Sequence, residues 1–357
     1  MKVRQRPNLL TADSAPDNVV PTTGQNSATK RNNDWFFGLN GIQIFAIATA
    51  FVLVFCFVDM LLPIKLISTY IKHIAVNCLI YAILAMGLNF VSGYIGQTSL
   101  GHAAFFGIGA YATGLMVLGG VSFWFTIPIA AIIAALFSIP MAAAAQRVRG
   151  SFLVVITYGF GEVLRYICIN TEAIGASSGL PGIATPTIFG NKLTKIGPTT
   201  KDGYILLCFV LVCLVAFFVN RVERSRVGYA FHAIREDEIA ALSMGIDVNW
   251  YKMLAIILSA VICSIAGSVQ AVYATFVSPE ILSSTQSILI LTIVIVGGKR
   301  SIKGAILGAI IMTILPEIFH SVQELFKLPF DPWMILYGLI LVIMMRYLPQ
   351  GFWGKGE

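Results

Sequence analysis

Few side chains in this sequence could do chemistry, and most of them fall in three places. The first is Arg235-Glu236-Asp237-Glu238, four consecutive charges that lead into Ile239-Ala240-Ala241-Leu242-Ser243-Met244 and stop at Gly245. The second is the set Asn89, Gln97, Ser99 and His102, spread around a glycine-broken stretch. The third is Glu162 with Arg165, three apart inside an apolar run and so on one helix face. Catalysis would need a clustered nucleophile, base or set of metal ligands. No pair among the four histidines, His73, His102, His232 and His320, has zinc-ligand spacing. The six cysteines, Cys56, Cys78, Cys168, Cys208, Cys213 and Cys263, form no CxxC pair and lie in apolar runs, where Cys behaves as a small hydrophobe. The phosphate-cradling pattern GxxxxGK[ST] is also missing, so the chain has no such device for hydrolysing ATP. The sequence reads as a non-enzyme that binds no cofactor or metal itself, and its polar groups are there to position, gate or dock.

The elements that must position them are membrane helices. With 57% hydrophobic and 11% charged residues over 357 positions, the chain departs from soluble domains, which carry about 25% charged residues. The net charge of +7 is spread among short loops, which argues against nucleic acid as a partner. Apolar runs near 42–62, 71–91, 100–119, 123–145, 151–171, 203–220, 253–276, 283–298, 303–320 and 333–348 predict an all-α polytopic membrane protein of about ten transmembrane helices. The 283–298 run is short, and 71–119 could hold one broken helix in place of two spans. Residues 1–40 are polar throughout and predict a disordered cytoplasmic tail with no secretory signal. The membrane body is then 41–350, with 351–357 as a cytoplasmic C-terminal tail.

Charge asymmetry orients this body. With the N-terminus inside, Lys30, Arg31, Arg147, Arg149, Arg221, Arg224, Arg226, Arg235, Lys252, Lys299, Arg300, Lys303, Arg346 and Lys355 are cytoplasmic, against Lys65, Lys72, Lys192, Lys195, Lys201 and Lys327 outside. Both termini and the polar island 221–252 are therefore expected in the cytoplasm. The Gly-, Pro-, Ser- and Thr-rich loop 172–202 becomes the longest external connection, either a docking surface or a loose linker.

Local rules shape each polar set. Asp237 suits an N-cap, Glu238 the positive end of the helix dipole, and Gly245 a left-handed C-terminal position, which predicts about two turns of helix. Ile239 and Leu242 would share its outer face and could fill a partner's groove. Gly93 and Gly96 interrupt helix, Thr98 or Ser99 could cap the next one, and such an interruption places backbone dipoles and the Gln97 amide near a pathway. Asn89, Gln97, Ser99 and His102 either touch solute or serve as caps and interhelical hydrogen bonds. Glu162 and Arg165 would together cost about 5–7 kcal/mol facing lipid, against about 3–6 kcal/mol returned by the apolar residues of their span. That face is therefore expected to point into the bundle, as a gate element or a structural ion pair. Small-residue stripes at Ser259, Cys263, Gly267 and Ala271, at Ala103 with Gly107, at Ala110 with Gly114, and at Gly304 with Gly308 predict close helix packing. His73, His320 and Glu317 are expected at external helix ends, satisfied by snorkelling or interfacial hydration.

Several of these stretches carry a resemblance. The order Glu238, Ala240, Ala241, Gly245 before a membrane helix resembles the EAA-type coupling loop of ABC importer permeases. VGYAFHAIREDEIAALSMGI, the run from Leu88 to Tyr111, GFGEVLR and the terminal LYGLILVIMMRYLPQGFWG are similar to branched-chain amino acid permeases of the LivM type, from about Tyr81 to Trp353. The resemblance implies the inner-membrane permease subunit of an ABC importer for branched-chain or related amino acids. It further implies a homologous second permease, two ATP-binding subunits that hold ATP and magnesium, and an extracytoplasmic solute-binding protein. Arg235 to Leu242 with Gly245 would then couple ATPase movement to the bundle, which opens alternately to its two sides.

Overall fold

The computed structural model describes residues 69–146, 152–188, 191–195 and 201–326, with 338–339, 342–343, 346–347 and 351–352 beyond them. The expected tail 1–40, the first span at 42–62, Arg147, Arg149 and most of 333–348 lie outside the described residues. Among the described residues ten α-helices carry the fold: α1 (Thr69–Asn89, continued by a π turn, Phe90–Tyr94), α2 (His102–Leu118), α3 (Phe123–Gln146), α4 (Phe152–Asn170), α5 (Asp202–Glu223), α6 (Arg226–Glu236), α7 (Glu238–Ser243), α8 (Val248–Ala274), α9 (Ser284–Gly297) and α10 (Ile302–Phe326). Two small antiparallel pairs complete it, β1 (Leu180–Pro181) with β4 (Phe276–Val277) and β2 (Thr187–Ile188) with β3 (Asn191–Lys192).

Among the described residues six helices are long and apolar enough to span a membrane: α1 with its π turn, α3, α4, α5, α8 and α10. The runs at 100–119 and 283–298 do form helices, but at 1.5 Å per residue α2 and α9 reach only about 25 and 21 Å, short of a core of about 30 Å. Residues 71–119 therefore hold one helix long enough to span and one short helix, which is neither two full spans nor a single broken one.

Helix α8 is the centre, packed on α1, α2 and α3, and its small residues explain why. The Ser259 hydroxyl donates to the Gly87 carbonyl at 2.7 Å, and the Cys263 thiol faces the Leu84 carbonyl at 4.0 Å. A Cβ on Gly267 would lie 2.0 Å from the Phe106 carbonyl, and one on Gly109 would lie 2.2 Å from that of Ser264. The backbones thus approach as only small residues allow. The α9–α10 hairpin closes the same way, with Gly297 against Gly304 and Gly308. Of the other α2 pair, Gly107 lies against Leu282 and Gly114 against Ile183 and Leu180, so these small residues receive loop side chains. All of these contacts are within one chain.

The two ends of the bundle differ. At one end β1 pairs with β4, short 3-10 turns form at Glu172–Ile174 and Ala176–Ser178, and Leu180, Ile183 and Leu193 are buried. The described part of the 172–202 connection is therefore packed structure and no loose linker. The start of α1 belongs to this end: Tyr70 donates to Glu317, the His73 Nδ1 meets the Tyr273 hydroxyl at 2.5 Å, and Asn77 reaches the His73 Nε2 at 3.3 Å. Side-chain hydrogen bonds from Tyr273 on α8 to His73, and from Tyr70 on α1 to Glu317 on α10, thus serve these two residues. The opposite end carries α6 and α7. The sequence island 221–252 is there divided among the last turn of α5, these two helices and the first turn of α8.

One charge pair at the β1–β4 end is fully enclosed. Lys72 Nζ meets Asp202 Oδ1 at 2.7 Å, with the two side chains 1% and 5% exposed. Charge counting sets Lys72 on the external side and Asp202 ends the loop 172–202, and neither reading pairs them. Removing either charge should cost about 3–5 kcal/mol, since the other is left buried, while exchanging both for apolar residues should cost less. Melting of Lys72→Met, Asp202→Leu and the double variant in detergent tests this, and a double variant as damaged as the sum of the two would contradict it.

Candidate functional site

The charged stretch at Arg235 folds as local rules require. The Asp237 carboxylate accepts from the backbone N–H of Ile239 at 2.7 Å and of Ala240 at 3.1 Å, a true N-cap for α7. At the other end Gly245 sits at φ +82°, its N–H bonds to the Leu242 carbonyl, and the N–H of Ile246 bonds to that of Ala241. This paired arrangement is a Schellman closure, which satisfies the last carbonyls of so short a helix. Glu238 does more than suit the dipole: its Oε1 lies 2.5 Å from the Nζ of Lys252, a buried side chain on α8. Ala241 is buried while Glu236, Asp237 and Ala240 are exposed. Three apolar side chains stand out from the surface, Ile239 at 67%, Leu242 at 53% and Met244 at 82% exposure. A two-turn helix fixed at both ends and tied to α8 therefore displays an apolar tip.

Arg235 joins this helix to the interrupted one. Its Nη1 donates to the Gly93 carbonyl in the π turn at 2.8 Å. Around that contact, Tyr94 donates to Glu223 at 3.1 Å, and Phe90, Phe231 and Tyr251 stack edge to face in series. Asn89 is buried, and its Oδ1 accepts from the Arg300 N–H at 3.0 Å. Asn89 thus tethers the α9–α10 turn. Lys299, in that same turn, is held below its usual pKa by burial and then by repulsion from Arg235.

The glycine-broken stretch runs inward from this node. Gly96 takes φ +81°, and the chain reaches α2 at His102. Here the expected self-capping by Thr98 or Ser99 is replaced. Gly101 occupies the cap position, and the α2 amides are served from other helices. Leu100 N–H donates to Thr157 Oγ1 of α4 at 3.0 Å and Ala103 N–H to Ser287 Oγ of α9 at 3.3 Å, while Ser99 Oγ takes only Gly101 N–H at 3.4 Å. Tyr81, midway along α1, donates to Gln286 at 3.4 Å, so α9 begins at mid-depth and α2 begins beside it. Two short helices thus start with their N-termini together inside the bundle and leave toward opposite ends. Gln97 is half-buried. His102 is 1% exposed, and its ring nitrogens have no protein partner among the described residues.

Glu162 and Arg165 meet the expectation in part: they form an ion pair and are part-buried at the edge of the bundle. Helix α4 buries only Leu153, Thr157 and Gly161. Small residues on that stripe let the backbone at Leu100 approach, which leaves the long charged side chains on the rim. Arg165 pairs with Glu280, from the loop before α9, at 2.8 Å and reaches Glu162 only at 3.5 Å. Glu280 is 71% exposed. Glu162 and Arg165 are themselves part-buried, 20% and 23% exposed, so the trio runs from the rim of the bundle out to an exposed carboxylate.

Among the described residues no group of three His, Cys, Asp or Glu could hold a metal ion. Sequence reasoning missed Lys252, Glu280, Thr157, Ser287 and Arg300. Each acts across a distance in sequence that no local pattern marks.

A family model described as "Branched-chain amino acid transport system / permease component" matches residues 70–345. The chain is 34% identical over 306 residues to the high-affinity branched-chain amino acid transport system permease protein LivM of Escherichia coli, covering 80% of this chain and 70% of the relative. To the LivM protein of Salmonella typhimurium it is 33% identical over 298 residues, 78% of this chain and 68% of that one. The permease protein BraD of Pseudomonas aeruginosa is 24% identical over 294 residues, 78% and 92% of the two chains. No solved structure matches.

The Arg165 network makes its own prediction. Because its partners are partly or largely exposed, a double-mutant cycle on stability should give Arg165 with Glu280 a coupling of at most about 1 kcal/mol, and Arg165 with Glu162 less still. A cost for Arg165→Ala as large as that of breaking the enclosed Lys72–Asp202 pair would contradict this geometry.

Proposed function

We propose that this chain, which belongs to the family of permease components of branched-chain amino acid transport systems, carries leucine, isoleucine, valine or related amino acids across the bacterial inner membrane as the permease subunit of an ATP-driven ABC importer. The observation that carries the mechanism is α7, whose capped ends hold Ile239, Leu242 and Met244 outward at one end of a bundle of spanning helices. A rigid apolar tip of that size suits a groove in another protein. Its occupant is an ATP-binding subunit, two of which supply ATP and magnesium and close on hydrolysis-linked cycles. The α6–α7 end is cytoplasmic, as the excess of Lys and Arg there supports, and the chain crosses about ten times with both termini inside. The packed β1–β4 end then faces the extracytoplasmic solute-binding protein.

The homologous second permease covers the open face of α4. Glu162, Arg165 and Glu280 cannot face hydrocarbon at acceptable cost, and their own bundle encloses the first two only in part and Glu280 hardly at all. A wet seam between two permeases satisfies them, and Gln97, Ser99, Asn89 and His102 lie on the interrupted helix behind α4 that borders that path. Closure of the ATP-binding subunits pushes α7, and the bundle opens toward one side or the other.

Uptake of labelled leucine, competed with other amino acids and urea, in cells with and without the gene tests the cargo. Gly245→Val tests the lever. No atom lies within 4 Å of a Cβ built at Gly245, so only its left-handed backbone resists the change, most strongly for a β-branched residue. Uptake and solute-stimulated ATP hydrolysis should fall together while the membrane level of the permease stays near normal. An unaltered ATPase response in that variant would exclude α7 as the coupling element.

A further inference from the structure

The π turn at Phe90–Tyr94 is a point where four parts of the chain meet. A π turn is wider than an α turn, leaves carbonyls outside the regular ladder, and is frequent at functional sites. Here the Gly93 carbonyl is taken by Arg235, two residues before the Asp237 cap of α7. The stem of the same arginine lies along Gly96, where a Cβ would come within 3.1 Å of Arg235 Cγ. Gly93 itself is fixed by its neighbours: a Cβ there would lie 1.8 Å from Asn89 Oδ1 and 3.0 Å from the Arg300 nitrogen. Asn89 in turn holds Arg300, at the turn between α9 and α10. Residues 351–352 join the same place through the Phe352 N–H, which donates to the Val296 carbonyl at 2.9 Å.

Both interrupted helices are therefore rooted at one node. Gly96 leads through Ser99 to the start of α2, Arg300 ends the turn that follows α9, and the far ends of these two paths meet at Ala103 and Ser287. The link from α7 to that node that hydrogen-bonds the π turn itself is the guanidinium of Arg235. A guanidinium is suited to this because it is planar, always charged and presents several donors in a fixed fork.

Resting on the importer reading above, we propose that Arg235 is the positioning residue that carries the movement of α7 into the mid-depth junction of α2 and α9, with the π turn as the segment that yields. When an ATP-binding subunit displaces α7, Arg235 draws Gly93 and presses on Gly96. The root of α2 shifts, and with it the contact between Ala103 and Ser287.

The test uses the full importer, purified with its ATP-binding subunits and solute-binding protein and reconstituted in lipid vesicles. Labelled leucine transported per ATP hydrolysed is measured for the native chain, Arg235→Ala and Arg235→Lys. Arg235→Ala should lower that ratio by about tenfold, the scale of a coupling between two sites. Arg235→Lys keeps a donor and the stem and should recover a substantial part of it. Both variants should retain their ATP-binding subunits through purification. A ratio in Arg235→Ala equal to that of the native chain would overturn the proposal. Loss of the ATP-binding subunits would also overturn it, since Arg235 would then be a docking residue. If Arg235→Ala fails to reach the membrane, the Arg235→Lys ratio decides alone: a partial fall supports the strut, and a native value refutes it. A native complex that neither transports leucine nor hydrolyses ATP in response to it would refute the importer reading and not the role of Arg235.

Discussion

A backbone amide or carbonyl without a partner in hydrocarbon costs several kcal/mol, and this fold breaks helices deep inside a membrane bundle. It can do so only because each freed group is met from elsewhere. Leu100 N–H finds the Thr157 hydroxyl, Ala103 N–H finds Ser287, the Gly93 carbonyl finds Arg235, and the Arg300 N–H finds Asn89. These four contacts draw on α1, α4, α6 and α9. The interruption is thus a property of the whole assembly, and the central position of α8, with its small residues, is what lets the surrounding helices come close enough to make it.

The same contacts place the polar groups. Helix N-termini carry a partial positive charge, and α2 and α9 bring two of them together at mid-depth, beside the fully buried His102. At the rim of α4 lies the opposite case, charged side chains that the bundle encloses only in part. Between these and α7 runs the node at the π turn. On the proposed importer reading, chemistry on ATP belongs to partner subunits and this chain contributes geometry: a capped lever at one end, a yielding turn, and an interrupted core that the lever can reach.

How much of this could be read from the residues depended on distance along the chain. Asp237, Gly245 and the outward pair Ile239 and Leu242 obey rules that act within a few residues, and the structure follows them. The small-residue stripe on α8 was legible as a packing face, although not which helix it would meet. Glu162 and Arg165 show where local reasoning fails. The energy of placing them in lipid was sound, but it cannot say whether a side chain's shelter is its own bundle or another subunit, and Glu280 lies far off in sequence. Capping of α2 failed for the same reason, because Thr98 and Ser99 are adjacent while Ser287 is not. The Lys72–Asp202 pair was not legible, since no sequence spacing shows that the helix starts of α1 and α5 will meet.

The central claim is that α7 is held rigid so that its apolar tip can seat in an ATP-binding subunit. It is tested most directly by disulfide trapping in the assembled importer, with Leu242→Cys on this chain and single cysteines along the groove of the ATP-binding subunit. The account predicts rapid cross-linking at one or two groove positions, altered when ATP is bound, and none from a cysteine placed at exposed Leu118 at the opposite end of the bundle. A complex that assembles and transports, yet gives no cross-link from Leu242→Cys to any ATP-binding subunit, would contradict it.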